Sequence, residues 1–265
     1  MDNKTSNHHN VSWQAINHFY FDKKKQSTKD LQELIKLNKN KNILISSENF
    51  ENLKFTKDFN NFVIKVKKTH NLKIIWTIRE QSSYLLSLLS MLINKGAFVN
   101  DFDLLVKKIK ANGKLKFKPY IFWFDYFTQY KNIINFFKIK KKDIYLNIYL
   151  KNGKIFENFC DCLSIKIKVK KGLFMKNTSN SLFQNSKNFK NRIKNITKYK
   201  NTYFNKNLEH DNKNFFSINK TKNIILKKNY IFNKKNEIQN YYRSSNLKLF
   251  KLFKIKKSEI RKFYE

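Results

Sequence analysis

Glycine is nearly missing from this chain, with four in 265 residues and the first at Gly96. That leaves no Gly-rich loop in the first third of the sequence to lay backbone N–H groups around a phosphate. Proline occurs once, at Pro119, and cysteine twice, at Cys160 and Cys162. Two cysteines one residue apart, with no histidine near them, match no zinc spacing, so both are expected to be reduced and structural, and no metal site is expected. Long apolar runs are also lacking. The longest, Tyr84 to Ile93, is interrupted by Ser87 and Ser90 and falls short of the ~20 residues that a membrane span needs. The opening Met1-Asp2-Asn3-Lys4-Thr5-Ser6 has no apolar stretch of signal-peptide type, which makes a cytoplasmic protein the expectation.

Acidic residues are the other shortage: 19 Asp and Glu stand against 56 Lys and Arg, a net charge of +37. Such a balance ordinarily points to nucleic acid, because lysines and arginines release counterions from phosphate backbones. Here Lys, Asn, Ile, Phe and Tyr are over-used together while Gly and Pro are scarce, the pattern left by AT-rich codons. Arginine, the residue best suited to bidentate contacts, appears four times, at Arg79, Arg192, Arg243 and Arg261. No specific nucleic-acid partner is therefore expected. The lysines are also spread along the chain rather than gathered on one amphipathic face, which argues against a membrane-surface role. With 41% hydrophobic residues, 26 Phe and 13 Tyr, the chain has the material for a core.

Periodicity predicts covering helices over His8 to Tyr20 and Lys29 to Leu37, then a short buried strand, Asn42 to Ser46, that ends in Ser46-Ser47-Glu48. A helix over Lys57 to His70 leads to a second strand, Leu72 to Thr77, completing a βαβ unit. Ser82 or Ser83 is expected to cap a buried helix through Ile93. Further helices are expected over Asp101 to Ala111, Tyr120 to Phe137 and Ile155 to Leu163, with a strand in Lys142 to Tyr149. The Asn- and Lys-rich stretch from Lys170 to Lys235 reads as long loops around a helix at Leu182 to Ile193, and Glu237 to Phe253 reads as a terminal helix.

The most informative segment is Lys73 to Ser87, where an apolar strand runs into Arg79 and then into a Ser-opened helix. In an open α/β sheet, ligands sit beyond the carboxyl ends of the strands, and a guanidinium there is suited to two phosphate oxygens. Ser87 follows Arg79 by eight positions. Glu48 stands at the corresponding end of the first expected strand. His8 and His9 lie near the start, while His18, His70 and His210 show no partner pattern.

Taken in order, these segments resemble the sulfotransferases that use 3′-phosphoadenosine 5′-phosphosulfate, particularly bacterial sulfotransferase-like proteins. The resemblance is carried by Ile43 to Gly96, and in patches by Phe124-Asp125-Tyr126-Phe127, by Asp143 to Tyr149 and by Tyr241-Tyr242-Arg243-Ser244-Ser245-Asn246. It implies an α/β fold with a P-loop-NTPase-like parallel sheet flanked by helices. Residues 1–169 would form the core, incomplete at its N-terminus, and 170–265 a helical and irregular part completing the same domain. It also implies that Arg79 and Ser87 hold the cofactor's 3′-phosphate, that Glu48 is the catalytic base, and that the sulfuryl acceptor is a hydroxyl of a glycan or small molecule. The family's opening strand and Gly-rich phosphate loop have no counterpart before His8, so the chain begins downstream of the family's start or is a degenerate, inactive relative. The competing expectation is a basic protein that binds RNA or another polyanion without catalysis.

Overall fold

In the computed structural model the described residues are 9–16, 27–52, 54–94, 98–99, 102–117, 120–150, 155–163, 216–217 and 228–265. They form a mixed α/β structure, mostly helical, with a small parallel pair of strands at its centre. Helices α1 (His9–Ala15), α2 (Thr28–Leu37) and α3 (Lys57–Thr69) come first, with the short 3-10 turn Glu48–Asn52 ahead of α3. Strand β1 (Ile74–Ile78) and helix α4 (Gln81–Asn94) follow, then β2 (Phe98–Val99), α5 (Phe102–Asn112), β3 (Lys114–Phe117), β4 (Tyr120–Trp123), α6 (Tyr126–Phe137) and β5 (Ile144–Ile148). The chain continues through α7 (Ile155–Cys162), β6 (Phe216–Ser217), α8 (Lys228–Leu252) and α9 (Lys257–Tyr264). The helix expected over Leu182 to Ile193 lies outside the described residues.

Strand β1 pairs in parallel with β5, in register from Ile74 opposite Ile144 to Ile78 opposite Ile148. β3 and β4 form an antiparallel hairpin, and β2 pairs antiparallel with β6. The expected strand at Asn42 to Ser46 does not form: residues 42–47 are irregular, and no described strand pairs with them. Ile43 and Ile45 pack against the α1–α2–α3 cluster while Leu44 is 48% exposed. The run thus has one covered side, whereas a buried parallel strand needs both. The βαβ unit is absent for that reason, and the parallel partner of β1 comes from 70 residues downstream instead.

A second correction concerns residues 120–123, which are strand rather than the start of a helix. Tyr-Ile-Phe-Trp is aromatic and β-branched, a composition that favours a half-buried pleated surface. The helix begins only at Tyr126, where the Asp125 carboxylate accepts from Thr128 N at 3.1 Å and Thr128 Oγ1 at 2.7 Å. Gly113 makes this corner. With φ +64° it ends α5, and its carbonyl accepts from both Phe124 N and Asp125 N at 2.8 Å. A Cβ on Gly113 would lie 2.8 Å from the Asp125 Cβ, so both conformation and space demand glycine here.

Three apolar clusters build the core. One gathers α4, α5, β3 and β4 through Leu85, Leu89, Leu105, Ile109, Leu115 and Phe122. A second joins β1, β5 and α6 through Trp76, Ile78, Ile133 and Ile148, and a third holds α1, α2 and α3 together. Helix α8 ties the first two, giving Ile238 and Tyr242 to one and Leu249 and Phe250 to the other. No helix among the described residues is long and apolar enough to cross a membrane.

An ion network docks the first half of α8 on α5: Lys234 Nζ lies 2.5 Å from Asp103 and 2.7 Å from Glu237, and Lys110 Nζ lies 2.9 Å from Glu237. The hydrogen bond from Lys234, then that from Lys110, holds the Glu237 carboxyl below the usual carboxylate range. A depressed acid contributes stability that is present above its unfolded-state value and lost as the pH falls through its folded-state value. Thermal melts from pH 7 down to pH 3 should therefore show the wild type losing its advantage over Glu237→Gln below about pH 4.5. A constant gap between the two at every pH would show that the network contributes no pH-dependent stability.

Candidate functional site

The carboxyl end of β1 is where the fold brings its polar side chains together. Residues Ile78 to Gln81 leave the sheet there, and each is gripped by a different element. Ile78 O accepts from Tyr149 N at 2.8 Å, extending the β1–β5 ladder by one bond. Arg79 O accepts from the Tyr126 hydroxyl at 2.5 Å. Burial pushes the Tyr126 phenol well above its ordinary value, against the lowering effect of the Arg79 backbone contact, so this hydroxyl remains a donor. The Arg79 guanidinium lies over the Tyr149 ring, Cζ 4.8 Å from the centroid, and its buried Nε–H has no hydrogen-bond acceptor among the described residues.

Glu80 is 4% exposed and its charge is taken up at the start of α4. One carboxylate oxygen accepts from Ser82 N and the other from Ser83 N, both at 2.9 Å, and Ser82 Oγ donates at 2.5 Å. Glu80 therefore caps α4, which corrects the expectation that Ser82 or Ser83 would do so. A carboxylate satisfies two of the helix's orphan N–H groups at once and places negative charge at the positive end of the dipole. The consequence for chemistry is direct: the N–H groups that would otherwise receive a ligand anion are occupied by the chain's own carboxylate. The cation at this corner is Arg79.

Gln81 completes the group. Fully buried, its Nε2 donates to Phe124 O at 3.0 Å and to Asn246 Oδ1 at 2.7 Å, while Asn246 Nδ2 donates back to Gln81 Oε1 at 2.9 Å. Asn246 is itself 0% exposed and lies on the buried stripe of α8 between Tyr242 and Leu249. Nearby, Asp125 accepts from Ser245 Oγ at 2.9 Å, and the Tyr84 hydroxyl reaches both oxygens of Glu51, at 3.1 and 3.3 Å.

Of the residues expected from the sequence, Arg79 occupies the strand end foreseen for it. Ser87 is exposed on α4, six residues beyond the start of the helix and so about 9 Å along its axis. Among the described residues no hydrogen bond or ion pair joins Ser87 to Arg79. Glu48 opens the 3-10 turn Glu48–Asn52, which packs on β4 and α1, and its side chain lies outside the described part of the molecule. Sequence reading missed Tyr126, Tyr149, Glu51 and Asn246. Each acts on a partner 33 to 165 residues away, and no local pattern announces such a pairing.

Elsewhere, Cys160 is buried and Cys162 half-buried, both as free thiols, and burial followed by the charge of Asp161 pushes the Cys162 thiol up. Among the described residues no group of three His, Cys, Asp or Glu side chains is placed to hold a metal ion. Comparison with protein-family models, curated proteins and solved structures gives no match.

Removing one member of the buried amide pair should be strongly destabilising. Asn246→Leu leaves an acceptor and a donor of Gln81 unpaired, each costing about 1–3 kcal/mol, so urea unfolding should show a loss of about 2 kcal/mol or more. The double variant Gln81→Met/Asn246→Leu should recover part of it, because no buried polar group is then stranded except Phe124 O. A single variant as stable as wild type would mean that the pair contributes nothing.

Proposed function

We propose that this chain is a sulfotransferase-like α/β protein. It binds 3′-phosphoadenosine 5′-phosphosulfate beyond the carboxyl end of the β1–β5 pair and directs sulfuryl transfer to a hydroxyl of a glycan or small molecule. The observation that carries the reading is Arg79: a half-buried guanidinium at a parallel strand end, lying over Tyr149, with a buried N–H donor left without an acceptor among the described residues. An unpaired buried donor costs about 1–3 kcal/mol, which a ligand oxygen would offset. The order of sequence motifs supports the same assignment, and with it a P-loop-NTPase-like relation for the sheet. Arg79 takes the 3′-phosphate in this reading, with Ser87 as its expected companion. Glu48 takes the proton of the acceptor hydroxyl.

The cofactor supplies the activated sulfuryl group, and what the chain supplies is orientation and a proton acceptor. Glu80 has a supporting part. By capping α4 it holds the turn that presents Arg79, while its own carboxylate oxygens accept from backbone N–H groups rather than from the guanidinium. Arg79 is thereby left available to an anion.

Titration calorimetry with 3′-phosphoadenosine 5′-phosphate should show micromolar binding by the wild type and at least a tenfold loss in Arg79→Ala, since a charge-assisted contact contributes about 1.5–3 kcal/mol. Equal affinities would remove Arg79 from the site. Glu48→Gln should bind the same nucleotide normally and lower turnover by roughly 10² to 10⁴-fold, the usual range for general-base assistance. Undiminished turnover would remove Glu48 from the chemistry.

One observation favours a second reading, polyanion binding without catalysis. The outer face of α8 lines an open groove of about 510 Å3 with Asn240, Arg243, Ser244, Leu247, Lys248 and Lys251, none of them acidic. If this groove carries the function, binding of a single-stranded RNA should weaken steeply with salt. Reversing the charge of Arg243, Lys248 and Lys251 should flatten that dependence, at roughly 0.7 unit of slope for each phosphate that is no longer neutralised.

A further inference from the structure

The Arg79 guanidinium is held by a tyrosine platform. Its backbone is clamped from one side, where Tyr126 Oη donates to the Arg79 carbonyl, and its side chain rests on a second tyrosine, with Cζ 4.8 Å from the Tyr149 ring centroid. Tyr149 is itself fixed by a backbone bond, its N–H donating to Ile78 O at 2.8 Å, one residue before Arg79. The platform and the arginine are therefore registered to each other by the β1–β5 ladder. The Arg79 Cζ lies over the Tyr149 ring, and a guanidinium that lies flat on such a ring directs its N–H donors in its own plane, away from the π face, to meet two phosphate oxygens edge-on. A lysine in the same place would be a point charge without that constraint.

We infer that Tyr149 is a positioning residue for anion recognition. Its ring fixes the plane of the Arg79 fork, so that the site selects a phosphate monoester able to accept two parallel hydrogen bonds. This rests on the assignment of Arg79 to a nucleotide phosphate made above. The ring contributes through its π face and not through its hydroxyl, so phenylalanine should replace it and an aliphatic side chain of similar bulk should not. Neither Tyr126 nor Glu80 can substitute for the ring: the Tyr126 hydroxyl bonds to the Arg79 carbonyl rather than to the guanidinium, and the Glu80 carboxylate is taken by Ser82 and Ser83.

The test is calorimetric titration of the full chain with 3′-phosphoadenosine 5′-phosphate, comparing wild type, Tyr149→Phe, Tyr149→Leu, Arg79→Lys and the Tyr149→Leu/Arg79→Lys double variant. Far-UV circular dichroism and thermal melting accompany each to confirm the fold. Tyr149→Phe should bind within twofold of wild type, and Tyr149→Leu should bind about three- to tenfold more weakly, as expected for loss of a partly desolvated cation–π contact. Arg79→Lys should weaken binding in the wild-type background but have much less effect once the ring is gone, because the platform and the fork act as one unit. Rescue by phenylalanine together with this non-additivity supports the inference, since a ring needed only for folding would give neither. Equal affinity for Tyr149→Leu and wild type overturns it, and so do additive losses in the double variant or a Tyr149→Phe variant as weak as Tyr149→Leu. If Tyr149→Leu does not fold, the Arg79→Lys comparison in the Tyr149→Met and Tyr149→Gln backgrounds, which also lack the ring, decides the same point, with a cost equal to that in wild type as the overturning result. A folded wild type that binds no nucleotide removes the assignment of Arg79, and the platform with it. A wild type that binds the nucleotide with an affinity unchanged by Tyr149→Leu removes the platform alone.

Discussion

The hydrogen-bonded pair of Gln81 and Asn246 is the constraint on which the two central halves of this molecule depend. Helix α8 spans both of the larger apolar clusters, and an apolar stripe by itself is tolerant of small rotations and slides along its groove. Asn246 removes that tolerance. It is the polar position on the buried stripe between Tyr242 and Leu249, and it fits only where Gln81 can return both hydrogen bonds while donating a third to Phe124 O. In a desolvated setting the alternative to this register is two stranded amides, a far larger penalty than any loss of packing from a slide.

That register reaches the candidate site because Gln81 is two residues from Arg79. The strand end, the cap of α4 and the start of α6 all meet within Ile78 to Gln81, so the position of the guanidinium is set by groups from β5, β4, α6 and α8 together. Electrostatics at this corner involve two charged groups with different partners: the carboxylate of Glu80 accepts from backbone N–H groups, and the guanidinium of Arg79 lies over an aromatic face. A helix N-terminus with free N–H groups would be an anion site in its own right. Here that capacity is closed off by Glu80, so whatever anion selectivity the corner has comes from a planar fork with defined geometry and not from a diffuse dipole.

What was legible from residue order is what local physics decides. The amphipathic spacing of Phe59, Phe62 and Val63 marks α3, the apolar run of Ile74 to Ile78 marks the strand, and the polar break after it puts Arg79 at its end. Where reading failed, a longer-range effect won. Leu44 and its neighbours have strand composition, but they are covered on one side only and pair with no described strand, so they are irregular. Tyr120 to Trp123 fit the helical spacing of the residues beyond them, yet pair antiparallel with β3, from Phe117 opposite Tyr120 to Lys114 opposite Trp123. Ser82 and Ser83 are good capping residues that were outcompeted by a buried carboxylate two positions upstream.

Sequence by itself therefore determined the helices, the central strand and the arginine that ends it, because periodicity, capping preference and side-chain size act over a few residues. Tertiary structure alone decided that β5 is the partner of β1, that Tyr126 and Tyr149 are the supports of Arg79, and that Asn246 answers Gln81 across 165 residues. Those choices depend on which groups are desolvated together, and desolvation is a property of the assembled chain that no short window of residues contains.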